Sequence, residues 1–379
     1  MNDPAHSVRV QLVDPSAFTP PYDRSLARAL AGQGAAVELI TSPFLYGPVP
    51  AAEGYRVTEL FYRRAARRGK QAPLRRPFKL AEHFPDMLRL RRHLDADVIH
   101  YQWLTLPGID ALILPPQRPR LITAHYILPP NPSRRRLVEA RRAFSAMDAV
   151  ITHSADGERR LREELGIAAE RIHRIRHGVM DYLTRLPDQR PLPPELEGAE
   201  GPVILFFGLL RQVKGIDTLL EAFQRLDGAE LWVVGMPRMP LEPLERLAES
   251  APGRVRFLPR FVDDEEIPAI FRRADIVALP HRDTEHSGVL HVALAFGKPL
   301  VMTDVGGLPE VGRDTGAARI VPPEDPQALS VALQELVSDE GARAELAEAA
   351  RRAASGPYSW EEIARQTLAL YRTLISQHR

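Results

Sequence analysis

Short apolar, β-branched runs separated by stretches of helical periodicity recur along the whole chain, and this alternation constrains the fold more than any other feature. The first series reads VRVQLVD, a helical pattern over Arg24–Gln33, AAVELIT, a helical pattern over Met87–Leu94, then DVIHYQW and RLITAHY. It continues with a helix over Leu137–Ala146, AVITHS, a helix over Ala155–Leu165 and RIHRIRHGV. Strand-helix alternation of this kind predicts an α/β protein whose parallel sheet is covered by helices on both faces.

A second series of the same type follows: VILFFG, a helix over Gly215–Leu226, ELWVVG, a helix near Glu242–Ser250, VRFLP, a helix over Glu265–Arg273 and DIVALP. A helix over Gly288–Ala295, PLVMTD and RIVPP then lead into a long helical tail. With 379 residues, the chain exceeds what one hydrophobic core usually serves. Between the series, RLPDQRPLPPELEGAEGP (Arg185–Pro202) is rich in proline and acidic residues and has no apolar period, as an exposed inter-domain linker would. Two doubly wound domains are expected, at 1–188 and 189–357, with the last helix, about 358–379, packing back onto the first.

A 44% apolar and 26% charged composition is that of a soluble globular protein. No run nears the roughly 18 apolar residues of a membrane span. The start MNDPAH lacks the basic-then-apolar profile of a signal peptide, so a cytoplasmic location is expected. With no cysteine, disulfides, thiolate metal sites and cysteine nucleophiles are excluded. The net charge of +1 hides an asymmetry, about +10 over residues 1–190 and about −9 beyond. Much of the excess lies in Arg63, Arg64, Arg67, Arg68, Lys70, Arg75, Arg76 and Lys79, interleaved with Phe61, Tyr62, Leu74, Phe78, Leu80 and Phe84; Arg134–Arg136, Arg141 and Arg142 form a second cluster. Two readings stand for Arg63–Lys79: a solvated arginine face, or peripheral contact with an anionic membrane at the inner face of the plasma membrane. No nucleic-acid motif accompanies the charge.

In open parallel sheets ligands bind beyond the carboxyl ends of the strands. In ILFFGLLRQVKGIDTLLEAF a strand runs into Gly208, then Arg211 and Lys214, then a helix: two cations at a helix start suit a phosphate, although surface cations in a βα loop would read the same. The segment ALPHRDTEHSGVLHVALAFGKPLVMTDVGGLPEVG offers a polar loop with Asp283 and Glu285, then Ser287, Gly288 and Val289 opening a helix whose first N–H groups suit further phosphate oxygens. Gly306, Gly307 and Glu310 follow in a glycine turn that lets backbone approach a ligand.

In their order and spacing these segments, with VRFLPRFVDDEEIPAIFRRADIVALPH and the terminal YSWEEIARQTLALYRTLI, resemble the glycosyltransferases of family 4. The resemblance covers nearly the whole chain. It implies the GT-B fold, two doubly wound Rossmann-like domains with parallel sheets facing across a cleft, and sugar transfer from a nucleoside-diphosphate sugar with retention at the anomeric carbon. It implies donor-diphosphate roles for Arg211 and Lys214, base packing at Arg260, Phe261 and Val262, and a place beside the donor sugar for His125 in ITAHYILPP. The family's leading mechanism is same-face substitution assisted by the leaving diphosphate, with no metal and no cofactor. The DAD triplet Asp95–Asp97 simply precedes a strand.

This chain departs from the family at two places. The family carries two glutamates eight positions apart before A-x-G-x-P; here the second falls on Val292, which has no acceptor for a ribose hydroxyl, while Glu285 or Asp283 can serve the sugar end and Glu310 a neighbouring loop. The first loop, DPSAFTPPYDRSLA, lacks the family's glycine pair and offers Ser16, Thr19, Tyr22 and Asp23 as acceptor-side contacts. His153 and His177 are read as structural or near the hinge. The acceptor is a lipid-linked saccharide, a polysaccharide or a small molecule. A nucleotide-sugar epimerase and a non-catalytic GT-B relative serving as a binding subunit remain as alternatives, the latter suggested by Val292; a glucan phosphorylase would need a lysine-bound pyridoxal phosphate in a much longer chain.

Overall fold

A computed structural model describes residues 7–47, 49–69, 74–129 and 131–378. Lys70, one of the cations noted above, and the MNDPAH start lie outside the described residues. The chain divides into two compact units: Met1–His177 with Trp360–Arg379, and Gly178–Ser359. The division falls before, not within, the proline-rich Arg185–Pro202 stretch, which is built into the second unit. Leu196 is buried in its core, the Arg190 N–H donates to the Glu265 carbonyl over 2.9 Å, and Arg256 donates to the Glu195 and Glu197 carbonyls. Three anchored apolar and backbone contacts inside a polar sequence leave no periodic signature, so the stretch reads as a linker by composition alone.

The first unit contains β1 (Arg9–Val13), α1 (Pro20–Gly32), β2 (Ala36–Thr41), β3 (Arg56–Glu59), α2 (Arg63–Arg67), α3 (Arg75–His93), β4 (Val98–Tyr101), α4 (Pro107–Ile113), β5 (Arg120–Thr123), α5 (Arg134–Ser145), β6 (Ala149–Thr152), α6 (Ala155–Glu163) and β7 (Ile172–Arg174). Its parallel sheet has the order β3-β2-β1-β4-β5-β6-β7. Period-two alternation divides each strand between two cores: Val10 and Leu12 pack on one face with Leu39, Leu121 and Ile151, while Val13 packs on the other with Ile40, Tyr101, Ile122 and Val150. Helix α1 begins at Pro20, earlier than the periodicity predicts, because prolines fit the first helical turn, where no N–H is needed.

The second unit contains β8 (Val203–Phe207), α7 (Ile216–Phe223), β9 (Glu230–Val234), α8 (Glu242–Glu249), β10 (Val255–Leu258), α9 (Ile267–Arg273), β11 (Ile276–Leu279), α10 (Gly288–Ala295), β12 (Leu300–Thr303), α11 (Leu308–Thr315), β13 (Ala318–Val321), α12 (Pro326–Ser338) and α13 (Glu340–Ser355). Its sheet is again all parallel, ordered β10-β9-β8-β11-β12-β13. Along β8, Val203 and Leu205 face one core with Trp232, and Ile204 and Phe206 the other, so both faces of the strand are dry. The final helix α14 (Trp360–Gln377) belongs to the first unit, where Trp360, Ile363, Leu368, Tyr371 and Leu374 complete the core formed with Leu26 and Leu30 of α1.

The basic segment folds as α2 and the start of α3. Phe61 and Tyr62 are buried, which removes them from any surface patch, whereas Leu74, Leu80, Phe84 and Leu88 are exposed. Asp95 and Asp97 pair with Arg9 at the amino-terminal end of β1, the end of this sheet away from the loops that follow its strands. Among the described residues no helix is long and apolar enough to cross a membrane.

Candidate functional site

In the second unit the connections leave in opposite directions from the neighbours β8 and β11, and the crevice beyond such a switch point is where open sheets receive ligands. Glycines hold three loops together there. Gly215, at φ 64°, lies so close to β11 that a Cβ would stand 1.9 Å from the Pro280 carbonyl oxygen. Gly306, at φ 53°, meets Thr284 in the same way, at 1.7 Å, and Gly307 N–H donates to the Glu285 carbonyl over 3.2 Å. A Cβ on Gly208 would lie 3.5 Å from Val289 Cγ2, so the end of β8 faces the first turn of α10. The structure thereby brings Gly208, Arg211, Lys214, Glu285, Ser287, Gly288, Val289, Gly306 and Gly307 to one end of one sheet.

Two cations stand here without an ion-pair partner. Among the described residues neither Arg211 nor Lys214 makes an ion pair. Burial, and then the charge of Arg211, pull the Lys214 ammonium down to about 8 against a weaker opposing pull from Asp283. Arg282, by contrast, is occupied: it donates to Asp217, Glu324 and the Gln212 carbonyl, and its own N–H bonds to the Val213 carbonyl. It ties the Arg211–Lys214 turn to the loop after β11. Ser287, at the N-cap of α10, makes no side-chain cap bond; its Oγ lies 3.4 Å from His281 Nε2. His281 is buried, and burial plus the Lys214 charge bring it down to about 3, so it is neutral. The result is a half-buried positive loop beside the open first turn of a helix, an arrangement suited to a polyanion.

The loop after β10 is more restrictive than its sequence. Arg260 is spent on Glu266 through two bonds, 2.9 and 2.6 Å, and Val262 is in the core, which leaves Phe261, 53% exposed, as the side chain that can meet a flat ligand. Glu310 lies in the first turn of α11, and Val292 is buried in the core on the inner face of α10.

In the first unit the corresponding switch point lies between β1 and β4. Two of the four acceptor-side candidates are withdrawn from solvent. Tyr22 is buried among His125, His153, His177 and Trp360, with ring centroids 4.6 to 5.5 Å away, and Asp23 is buried beside Asp14. Burial and then the Asp14 charge push the Asp23 carboxyl well above its ordinary range. Asp14, which motif reading passed over, organises the loop in place of the missing glycines: its carboxylate accepts from the N–H groups of Ser16, Phe18 and Thr19 over 3.1, 2.6 and 3.3 Å. Ser16 and Thr19 remain at the loop surface; Thr19 Oγ1 accepts from Trp103 Nε1 over 2.9 Å.

His125 follows β5, half-buried and held from three directions. Its Nε2 lies 3.0 Å from Gln102 Oε1, its ring stacks on Trp103 at 5.3 Å and 17°, and Tyr22 meets it edge-on. A 400 Å³ pocket beside it is lined by Phe18, Trp103, Tyr126, Leu128 and Phe144. Trp103 and Gln102 carry no motif, and only the fold brings them to this ring.

Two parallel doubly wound sheets, each with a crevice beyond its switch point, define the GT-B fold, and the comparisons with known proteins place the chain in the glycosyltransferase class. The pattern described as Glycosyltransferase Family 4 matches residues 23–181, and that described as Glycosyl transferases group 1 matches 201–339. A D-inositol 3-phosphate glycosyltransferase of Xylanimonas cellulosilytica is 28% identical, over 92% of this chain and 90% of its own. Among solved structures, sucrose-phosphate synthase of Thermosynechococcus elongatus superimposes with a TM-score of 0.75 at 21% identity, covering 98% of this chain and 100% of that one. Anabaena HepE in complex with UDP-glucose gives 0.70 at 19%, covering 97% and 100%. The chain belongs to the glycosyltransferases of family 4.

Proposed function

We propose that the protein transfers a sugar from a nucleoside-diphosphate sugar to an acceptor, with retention of anomeric configuration and without a metal ion. The observation that carries this reading is the uncompensated pair Arg211 and Lys214 beside the uncapped start of α10. Each charge-assisted bond to a diphosphate contributes roughly 1.5–3 kcal/mol, so these groups supply charge that a divalent ion would otherwise bring. As the glycosidic bond breaks, charge grows on the leaving diphosphate, where Arg211, Lys214 and the Ser287–Gly288 N–H groups stabilise it. The leaving phosphate oxygen then takes the acceptor's proton, and the acceptor oxygen bonds to the anomeric carbon on the same face. Phe261 packs on the base, Glu285 and His125 serve the sugar, and Gly306, Gly307 and Glu310 line the donor loops. Structures of a fold relative with UDP and UDP-glucose support a donor of this class.

The acceptor belongs among lipid-linked saccharides, polysaccharides and small molecules. We place the protein in the cytoplasm, with peripheral contact at an anionic membrane through α2, α3 and the exposed Leu80, Phe84 and Leu88, four residues apart on one helix. A second reading, a binding subunit without catalysis, is favoured by the buried Val292. Incubation with a panel of nucleotide sugars and candidate acceptors, in the presence of EDTA, separates the two. Transfer with the donor's anomeric configuration, read by proton NMR coupling, is expected; nucleotide binding without turnover for any acceptor would support the subunit.

A further inference from the structure

A second pair of cations lies in the first unit, on α3. Lys79 and Arg75 are one helical turn apart, and among the described residues neither makes an ion pair. Lys79 Nζ donates to Ser16 Oγ over 3.0 Å, Ser16 Oγ lies 2.9 Å from Thr105 Oγ1, and the Tyr62 hydroxyl stands 3.0 Å from the same threonine oxygen. Arg75 reaches the Tyr46 hydroxyl with one nitrogen, at 3.3 Å, and its Nε is buried without a partner. The ammonium of Lys79 also sits over the rings of Tyr62 and Phe18, at 4.6 and 5.5 Å.

The hydroxyls are held by a buried relay. The Tyr62 hydroxyl bonds His83 Nδ1 over 2.6 Å, and His83 Nε2 bonds Asp110 over 2.5 Å, all three residues at most 3% exposed. Asp14, whose charge opposes the Lys79 shift, is engaged by three N–H groups of its own loop and makes no ion pair with the cation. Burial and the Arg75 charge both act to lower the Lys79 ammonium. Two like charges a turn apart, partly desolvated and facing oriented hydroxyls, are stabilised by an oxyanion between them. They stand where the loops after β1 and β4 meet, at the switch point of this unit's sheet.

We propose that Arg75, Lys79, Ser16 and Thr105 form a binding site for a phosphate group carried by the acceptor. This proposal rests on the transferase reading only for the word acceptor; the phosphate site itself stands on the geometry above. The phosphate comes either from a soluble phosphorylated polyol or sugar, or from a phospholipid headgroup.

The test uses the full chain carrying R211A and K214A, which silences the donor loop, and titrates it with inorganic phosphate and with glycerol 3-phosphate by calorimetry. Binding is expected in this background and at least tenfold weaker when K79Q or R75Q is added. Arg75, at the start of its helix, provides the variant should K79Q not fold, as judged by nucleotide binding of the single variants. Vesicles of phosphatidylcholine with and without phosphatidic acid distinguish the sources. Lys79-dependent vesicle binding competed by inorganic phosphate assigns a headgroup, and solution binding without vesicle binding assigns a soluble acceptor. Phosphate binding that is absent, or unchanged by K79Q and R75Q, overturns the site. Nucleotide binding by the unmodified chain tests the transferase reading separately.

Discussion

Lys214 is the residue on which pH acts first. Its ammonium is pulled down to about 8 by partial burial and then by the charge of Arg211. In the proposed site the charged form binds the diphosphate, so affinity is expected to be full below about pH 8 and to fall above it, approaching tenfold per pH unit in the limit. Calorimetric titration with UDP between pH 7 and 9.5 checks this, and K214R, which keeps its proton throughout, flattens the profile. Gly215 is equally exacting for a steric reason. Alanine there meets both a left-handed backbone, costing about 1–2 kcal/mol, and the Pro280 carbonyl, so G215A lowers the urea midpoint and weakens nucleotide binding together. In a sequence Gly215 is one of 24 glycines, and only the packing distance distinguishes it.

At the scale of elements, α14 closes the first unit through a polar contact as well as an apolar face. His100 Nδ1 bonds the Tyr371 hydroxyl over 2.6 Å and Nε2 bonds Thr123 over 2.7 Å, both out of reach of water. Burial holds His100 to about 3 and His153 to about 4, against 6.5 for an exposed imidazole. The unfolded chain therefore binds more protons below pH 6.5. The stability these neutral rings contribute is full above that value and is lost as the pH falls toward 4, at about 1.4 kcal/mol per pH unit for each histidine. Asp14 and Asp23, with raised values, act in the opposite sense. The informative quantity is consequently a difference: H100Q loses the equivalent of one proton from the slope of unfolding free energy between pH 6.5 and 4.5, measured by urea titration. Y371F leaves His100 Nδ1 without its partner and costs about 1–3 kcal/mol at neutral pH.

The elements that the sequence made legible are those with an unbroken period. Every long strand and helix α10 lie where alternation and turn residues put them. Strand β3, with no buried residue, and the short helices α2 and α4 leave no apolar stripe to read, and Pro20–Pro21 conceals the start of α1. The loops proposed to face the donor phosphates could be read because glycine and cations in a βα turn have a mechanism. Gln102, Trp103 and the Tyr62–His83–Asp110 relay could not, since each acts on residues distant in the chain, from 21 positions between Tyr62 and His83 to 84 between Thr19 and Trp103; Asp14 acts locally, on N–H groups two to five positions on, but an aspartate after a strand carries no motif of its own. The Arg260–Glu266 pair, six residues apart, was likewise not legible, since only the fold of the loop turns the guanidinium onto that carboxylate.

For the whole molecule, the proposed function gives the two doubly wound units different duties: the second would hold a nucleoside diphosphate by Arg211 and Lys214, and the first presents ordered hydroxyls and His125. Membership of family 4 fixes the class, and the donor phosphate site is the claim on which the chemistry depends. Its most direct test is thermal stabilisation by a panel of nucleoside diphosphates and their sugars, compared between the unmodified chain and the R211A and K214A variants, since a ligand that binds only the folded state raises its apparent stability. A selective shift with one nucleotide, lost in both variants while the unliganded melting temperature changes little, is the predicted result. No shift with any nucleotide, or a shift that both variants retain, would contradict it.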